Sequence, residues 1–259
     1  MDLVLIAGDL TDGGYPAEIG AFRRQTGGAA GFKAPVWFVP GNHDIGNKSG
    51  CQKNPGPSTQ TVASVQQAFG SPTFFARSFR NPPAVRVIGI NSPILGSGLP
   101  LEEEMWKFLA SELQAPRPNV PTLLLTHYPL FVSNENEPNS FWNVNQDPRK
   151  KLMALLRRAK ATMVLSGHLH CALFLDQHDG ITFVTTPPIS HFYNTSLLGW
   201  TLITVDGQIV KHEFRTLDGA PVADAIAQGV CDQPDDCAVC EGEPPCRCTD
   251  TCPKNPGHP

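Results

Sequence analysis

A chain of 259 residues with 41% hydrophobic content and a formal net charge of -4 is long enough to bury one sizeable layered core and is not disordered by composition. Its 20 Lys and Arg are spread without a basic stripe, which argues against a nucleic-acid surface. No apolar stretch approaches the roughly 20 residues of a membrane helix, so no membrane span is expected.

In chain order, residues 4–7 read as a short buried strand ending at Gly8-Asp9-Leu10-Thr11-Asp12. A helix is expected over 16–25 and a second buried strand over 36–39, ending at Gly41-Asn42-His43-Asp44. A Gly, Pro, Asn and Ser loop over 45–58 precedes a helix over 59–69, and 74–79 and 85–90 alternate as strands. Leu101, Met105, Phe108, Leu109 and Leu113 recur at helical spacing. A buried strand over 123–125 ends at Thr126-His127. Asp147 followed by Pro148 suggests an N-cap and first turn, opening a helix whose Leu152, Leu155, Leu156 and Ala159 form one face. That helix leads to a strand over 163–165 and then Gly167-His168-Leu169-His170. Beyond it, 172–175, 181–184, 200–205 and 208–214 are short strands. Asp179-Gly180 and Asp206-Gly207 between them predict antiparallel hairpins.

The last stretch differs in kind. Cys231, Cys237, Cys240, Cys246, Cys248 and Cys252 crowd into a Pro-rich, acidic segment with few large apolar residues, which cannot build a core of its own. Domain 1–219 is therefore expected as the folded body and 220–259 as a tail, disulfide-stapled or disordered; a zinc cluster around Cys237 and Cys240 is the other reading. Disulfides would fit an exported, periplasmic or extracellular compartment, and such a tail could mediate a protein contact. In the body, Cys51 and Cys171 either pair or remain as two buried thiols.

The four polar strings each follow an apolar run, so they fall where strands of an α/β sheet end, the edge where ligands bind. Together they hold Asp, Asn and His. Hydrolysis of a phosphate ester is eased by two metal ions about 3.5 to 4 Å apart that neutralise the phosphate and hold a hydroxide in line. Asp9 suits a carboxylate bridging two ions. Asn42, His127 and His168 can complete one of them and His170 can reach the other. On an extended segment His168 and His170 would face the same side. His43 points away from Asn42 and suits a proton donor to the leaving group, with Asp44 to orient it. Mixed carboxylate, amide and imidazole donors favour Mn, Fe or Zn over Mg or Ca.

This series of strings resembles the calcineurin-like metallophosphoesterases over about residues 1–217. The resemblance implies an α/β fold of two mixed β-sheets packed as a sandwich flanked by helices, and a dinuclear metal centre. It also implies an enzyme that hydrolyses phosphomonoesters or phosphodiesters by a metal-bound hydroxide. It assigns Asp9 as bridging ligand, Asn42, His127 and His168 to one ion, His170 to the other, and His43 as the catalytic histidine. Asp12 stands where the purple acid phosphatases have a tyrosine ligand, which argues against a purple iron site. Phe141-Trp142-Asn143-Val144 and His127-Tyr128-Pro129-Leu130-Phe131 resemble the branch of calcineurin-like phosphoesterase-domain phosphatases, some of which act on phosphoserine and phosphothreonine.

One element of the family pattern does not appear: an Asp two residues before a His or Gln, on a strand upstream of the Gly-Asp string. Eight residues precede Asp9, and Asp2 lies about 23 Å away along an extended strand. The first strand is therefore expected to be absent and the second ion under-liganded. Met1 leads straight into a strand, which suggests a start downstream of an original N-terminus. A degenerate, non-catalytic metal-binding scaffold is the alternative. His191 is the remaining candidate, as a substrate contact or a substitute ligand.

Overall fold

The centre of the fold is a six-stranded sheet in the order β3 (Phe75–Phe79), β4 (Val85–Gly89), β5 (Thr122–Leu125), β6 (Met163–Ser166), β8 (Ile181–Thr185), β7 (Leu173–His178). The structure is a computed structural model and describes residues 1–27, 31–48, 56–70, 73–79, 84–190 and 198–223. From β4 to β8 the neighbours run parallel, while β3 and β7 close the two edges antiparallel. β5 and β6 are buried along their whole length. That is why residues 123–125 and 163–165 are apolar runs rather than alternating ones, since both faces of a parallel sheet are covered.

The two faces separate by the two-residue period of a strand. Ile88, Leu124, Val164 and Ile181 share one core with α3 (Thr59–Phe69), α4 (Pro100–Glu112) and α5 (Gln146–Ala159), through Val62, Met105, Leu109, Leu152 and Leu156. Val87, Leu123, Leu125, Met163 and Leu165 share the other with Val39, Phe214, Leu5, Trp37 and Ile203. These last belong to a second layer, which consists of two small sheets. One is the parallel pair β1 (Val4–Ile6) and β2 (Val36–Phe38); the other is antiparallel, β11 (Pro221–Val222), β10 (Ile209–Thr216), β9 (Gly199–Asp206). The expected sandwich flanked by helices is present, with its second layer divided. On the outside, α1 (Pro16–Thr26) sets the Phe22 ring edge-on to Phe38 at 5.2 Å and to Phe69 at 5.3 Å.

Local signals explain most boundaries. The Ser58 hydroxyl accepts the Thr61 N–H at 3.1 Å and caps α3, and Gly70 ends that helix in the left-handed region. Asp179 and Gly180 both have positive φ, the conformation a two-residue hairpin demands. The helix expected to open at Asp147 instead starts at Gln146 with Asn145 at its cap. Asn139 Oδ1 takes the Gln146 N–H at 2.7 Å, so the preceding loop supplies the cap. Pro148 then falls in the first turn, where a missing N–H costs nothing. A short helix, α2 (Asn42–Ile45), carries the second polar string. β11 carries the folded body past residue 219. Cys171 is disulfide-bonded, so the free-thiol reading does not hold for it. Cys51, His191 and the six cysteines of the tail lie outside the described residues, as does all of the chain after 223. Among the described residues, no helix is long and apolar enough to cross a membrane.

Candidate metal centre

The ends of β1, β2, β5 and β6 deliver their polar strings to one place. Asn42 Oδ1 stands 2.7 Å from His127 Nε2 and 3.1 Å from His168 Nδ1, and Asp9 Oδ1 lies 3.4 Å from His127 Nε2. Asp9 Oδ1 also accepts the backbone N–H of His43 at 3.1 Å. The approach of the strings is close enough to require glycine. A Cβ on Gly8, whose φ is +93, would lie 2.5 Å from His127 Nδ1, and one on Gly41 would lie 2.1 Å from Asp9 Oδ1.

Three of the expected ligands sit on left-handed backbone: Asp9 (φ 50), His168 (φ 68) and His170 (φ 54). Such conformations are uncommon outside glycine and concentrate at functional sites. They also correct one expectation. His168 and His170 are not on an extended segment, because β6 ends at Ser166 and the Leu169 N–H turns back to the Gly167 carbonyl at 2.8 Å. A three-residue turn centred on His168 aims its ring toward Asn42. His170 follows two residues later, near enough for its charge to weigh against protonation of His168.

Hydrogen-bond partners fix which atoms face inward. The Nδ1–H of His127 donates to the Ala7 carbonyl at 2.8 Å, so Nε2 carries the lone pair. The Nε2–H of His168 donates to the Phe141 carbonyl at 3.2 Å, so Nδ1 carries the lone pair. The Nδ2–H of Asn42 donates to Asn47 Oδ1 at 2.9 Å, which turns Oδ1 inward. With both rings neutral, these three acceptors and the Asp9 carboxylate converge with no hydrogen between them. Unpaired acceptors facing one another in a buried site are unfavourable, and a cation among them resolves the conflict. The donor set fits a divalent ion that accepts mixed O and N ligands. Burial of the His168 ring, followed by the nearby His127 imidazole and the Lys48 ammonium, holds its pKa well below the ordinary value, which keeps it in the neutral form a metal requires.

His43 lies apart from this set. Its Nδ1 contacts the Asp12 carbonyl at 2.8 Å and the Asp12 carboxylate at 3.4 Å. Partial burial pushes its pKa down, but the Asp12 carbonyl and the carboxylates of Asp9, Asp12 and Asp44 outweigh that and raise it. Asp44 does not hold the His43 ring, contrary to expectation. Its carboxylate accepts from Gly41 N (2.8 Å), Leu10 N (3.1 Å), Thr11 N (3.0 Å) and Thr11 Oγ1 (2.8 Å). It locks the first string onto the second. Burial raises its pKa in spite of those donors.

Sequence reasoning missed the supporting groups. The carbonyls of Ala7 and Phe141 leave no trace in side-chain patterns. Asn47 carried a weak signal, as a second amide five residues after Asn42. Ser92, whose hydroxyl accepts the N–H groups of His127 (3.1 Å) and Tyr128 (2.9 Å), carried none. A separate cluster of metal-type side chains, Glu135, His178 and Asp179, brings its ligand atoms within 4.8 Å of one another. The Arg157 guanidinium pairs with Glu135 and, at 2.5 Å, with Asp179, so an arginine already occupies both carboxylates and offsets part of their charge.

Residues 1–172 match the sequence profile described as calcineurin-like phosphoesterase. Serine/threonine-protein phosphatase CPPED1 of Danio rerio is 27% identical over 194 residues, covering 71% of this chain and 57% of that protein; the chain thus spans little more than half the length of that relative. Among solved structures, GAP50, described as the anchor in the inner membrane complex of Plasmodium, matches 86% of this chain and 77% of its own, with TM-score 0.60 and 14% identity. Purple acid phosphatase PPD1 from yellow lupin seeds matches 86% and 45%, with TM-score 0.55 and 20% identity. At those identities the two structures speak for the fold alone. The profile match spans β1 to the last of the four strings, and the chain belongs to the calcineurin-like phosphoesterase family.

Proposed function

We propose that this chain is a metal-dependent hydrolase of phosphoric esters. The observation that carries this reading is the convergence of four ligand-type atoms, with Asn42 Oδ1 2.7 Å from His127 Nε2 and 3.1 Å from His168 Nδ1, and Asp9 Oδ1 3.4 Å from His127 Nε2. Asn42, His127 and His168 with Asp9 would hold one ion, and His170 with Asp9 would contribute to a second. A divalent Mn, Fe or Zn ion held there would supply charge neutralisation of the phosphate and acidification of water. Asp9 fixes its carboxylate through the His43 N–H, and Asp44 fixes the turn that carries Asp9. His43 engages Asp12 through Nδ1, which leaves Nε2 as the nitrogen for a substrate. The Asp12 carbonyl and the carboxylates around the ring favour a proton on His43, which suits it to protonate a departing alkoxide.

The name of the zebrafish relative makes phosphoserine and phosphothreonine peptides the first physiological class to assay. The Cys171 disulfide supports an oxidising compartment. The test is metal content and turnover of p-nitrophenyl phosphate by the full chain and by His43→Ala. The variant should lose about 10²-fold or more in turnover at unchanged metal content. Unchanged turnover would refute the role of His43, and a chain that binds no divalent ion would refute the metal centre.

A further inference from the structure

Lys48 is buried, 4% exposed, in the segment that follows α2. Its Nζ donates to the carbonyl oxygens of Ser140 and Asn143 and stands 5.3 Å from the centre of the Tyr128 ring. An ammonium is costly to bury, and an apolar side chain of similar length fills such a space at lower cost. What an apolar side chain cannot do is fix two carbonyl oxygens. Those two carbonyls bracket Phe141 and Trp142. The same turn is closed from the other side by Asn143 Oδ1, which accepts the Ser140 N–H at 3.1 Å.

The bracketed peptide meets the metal centre through a hydrogen bond, the Phe141 carbonyl on the Nε2–H of His168 at 3.2 Å. Around it, the rings of Tyr128, Phe141 and Trp142 lie 4.3, 4.9 and 5.7 Å from the His168 ring. This contact decides between two tautomers. With its proton on Nδ1, His168 would donate to Asn42 Oδ1, 3.1 Å away, which would relieve one of the facing acceptor pairs without a cation and leave a bare Nε2 against the Phe141 carbonyl. With the proton on Nε2, Nδ1 is bare and Asn42 Oδ1 is left facing it. The Phe141 carbonyl must therefore be held firmly enough to prevail over a competing hydrogen bond inside the site.

We propose that Lys48 is a positioning residue of the metal centre: by clasping the Ser140 and Asn143 carbonyls it holds the Phe141 carbonyl on His168 and keeps Nδ1 bare for a cation. The clasp joins the two halves of the ligand set. Asn47, next to Lys48, orients the Asn42 amide, so adjacent residues set the inward faces of two ligands that are 126 positions apart in sequence. The proposal rests on the metal-centre reading for its purpose, while the tautomer it predicts belongs to the metal-free protein.

The experiment is long-range proton–nitrogen NMR of the His168 ring in the metal-free full chain, paired with zinc affinity by chelator competition. Wild type should show the Nε2–H form. Lys48→Met should move His168 toward Nδ1–H and weaken zinc about tenfold or more, the usual consequence of losing an outer hydrogen-bond partner of a ligand. Lys48→Arg, which keeps a cation and donors for both carbonyls, should retain the wild-type tautomer and affinity. Leu109→Ala, a core variant remote from the site, should lower stability without moving the tautomer. An Nδ1–H form in wild type overturns the proposal, as does a folded Lys48→Met with wild-type tautomer and affinity. If Lys48→Met does not fold, the wild-type spectrum and Lys48→Arg decide. A tautomer that shifts as expected in a protein that binds no zinc would support the clasp and refute the metal centre.

Discussion

Replacing Gly41 with alanine tests the geometry of the centre with a single methyl group. Gly41 has φ -107 and ψ -175, a conformation open to any residue, so alanine brings no backbone strain of its own. Its Cβ would stand 2.1 Å from Asp9 Oδ1, 2.3 Å from Asp9 N and 2.9 Å from Asp9 Cγ. Rotating the carboxylate does not relieve the clash with the backbone nitrogen. Ordinary contact begins at 3.4 Å, so Asp9 must retreat by about 1.3 Å. A displacement on the order of 1 Å in a reacting constellation costs about 10²-fold in rate, and Asp9 would also leave the acceptor set that holds the ion. Gly41→Ala should therefore lose bound metal and at least about 10²-fold in p-nitrophenyl phosphate turnover. Gly70→Ala is the matched control. Its Cβ meets nothing within 4 Å, and its φ of +60 predicts a stability loss of about 1 kcal/mol with metal content and turnover unchanged. Wild-type metal content and turnover in Gly41→Ala would refute the close approach of the two strings on which the site is built.

Further predictions follow from the groups that hold the strings. Asp44→Ala strands the N–H groups of Leu10, Thr11 and Gly41 and should lower unfolding free energy by about 2 to 4 kcal/mol, measured by urea titration; a loss under 1 kcal/mol would show that the turn does not depend on it. Arg149 is fully buried and donates to the carbonyls of Val144, Glu135 and Glu137. Arg149→Met should destabilise by about 3 kcal/mol and increase amide exchange over 135–144, and wild-type protection there would count against it. Burial pushes the Glu137 pKa up, but the N–H groups of Ser133 and Val132, the Asn143 amide and the Ser133 hydroxyl hold it below the ordinary 4.5. A depressed carboxylate pKa contributes stability that is complete above pH 4.5 and is lost as pH falls below it. The unfolding midpoint of wild type should thus drop on acidification below pH 4.5, and Glu137→Gln should show a shallower decline; parallel curves would refute the assignment.

The four strings were legible because a buried parallel strand advertises itself as an apolar run and its polar end is where ligands gather. Convergence therefore followed from the order of the elements. The local backbone did not. Nothing in His168 or His170 predicts a left-handed residue, and periodicity extends a strand's alternation past its true end at Ser166. Asp44 was read from its neighbour His43, yet a residue at the third position of a short helix reaches back to N–H groups before the helix, and sequence adjacency does not reveal that. The division of the second layer into β1–β2 and β9–β11 was hidden for another reason. Hairpin signals specify which strands pair within a sheet, whereas the pairing of β1 with its neighbours depends on contacts distant in sequence. Carbonyl partners such as Ala7 and Phe141 lie beyond any reading of side chains.

The proposed centre would also tie the stability of the fold to the supply of its ion. Because Asn42 Oδ1, His127 Nε2 and His168 Nδ1 oppose one another in their neutral forms, an ion bound among them would make native stability a function of its free concentration. A one-site ligand at 100 times its dissociation constant adds about 2.7 kcal/mol to the native state. For a domain of this size that is a sizeable fraction of the margin between folded and unfolded chain. Scarcity of the ion would then appear first as faster proteolysis and lower abundance, before any change in the chemistry of the molecules that remain.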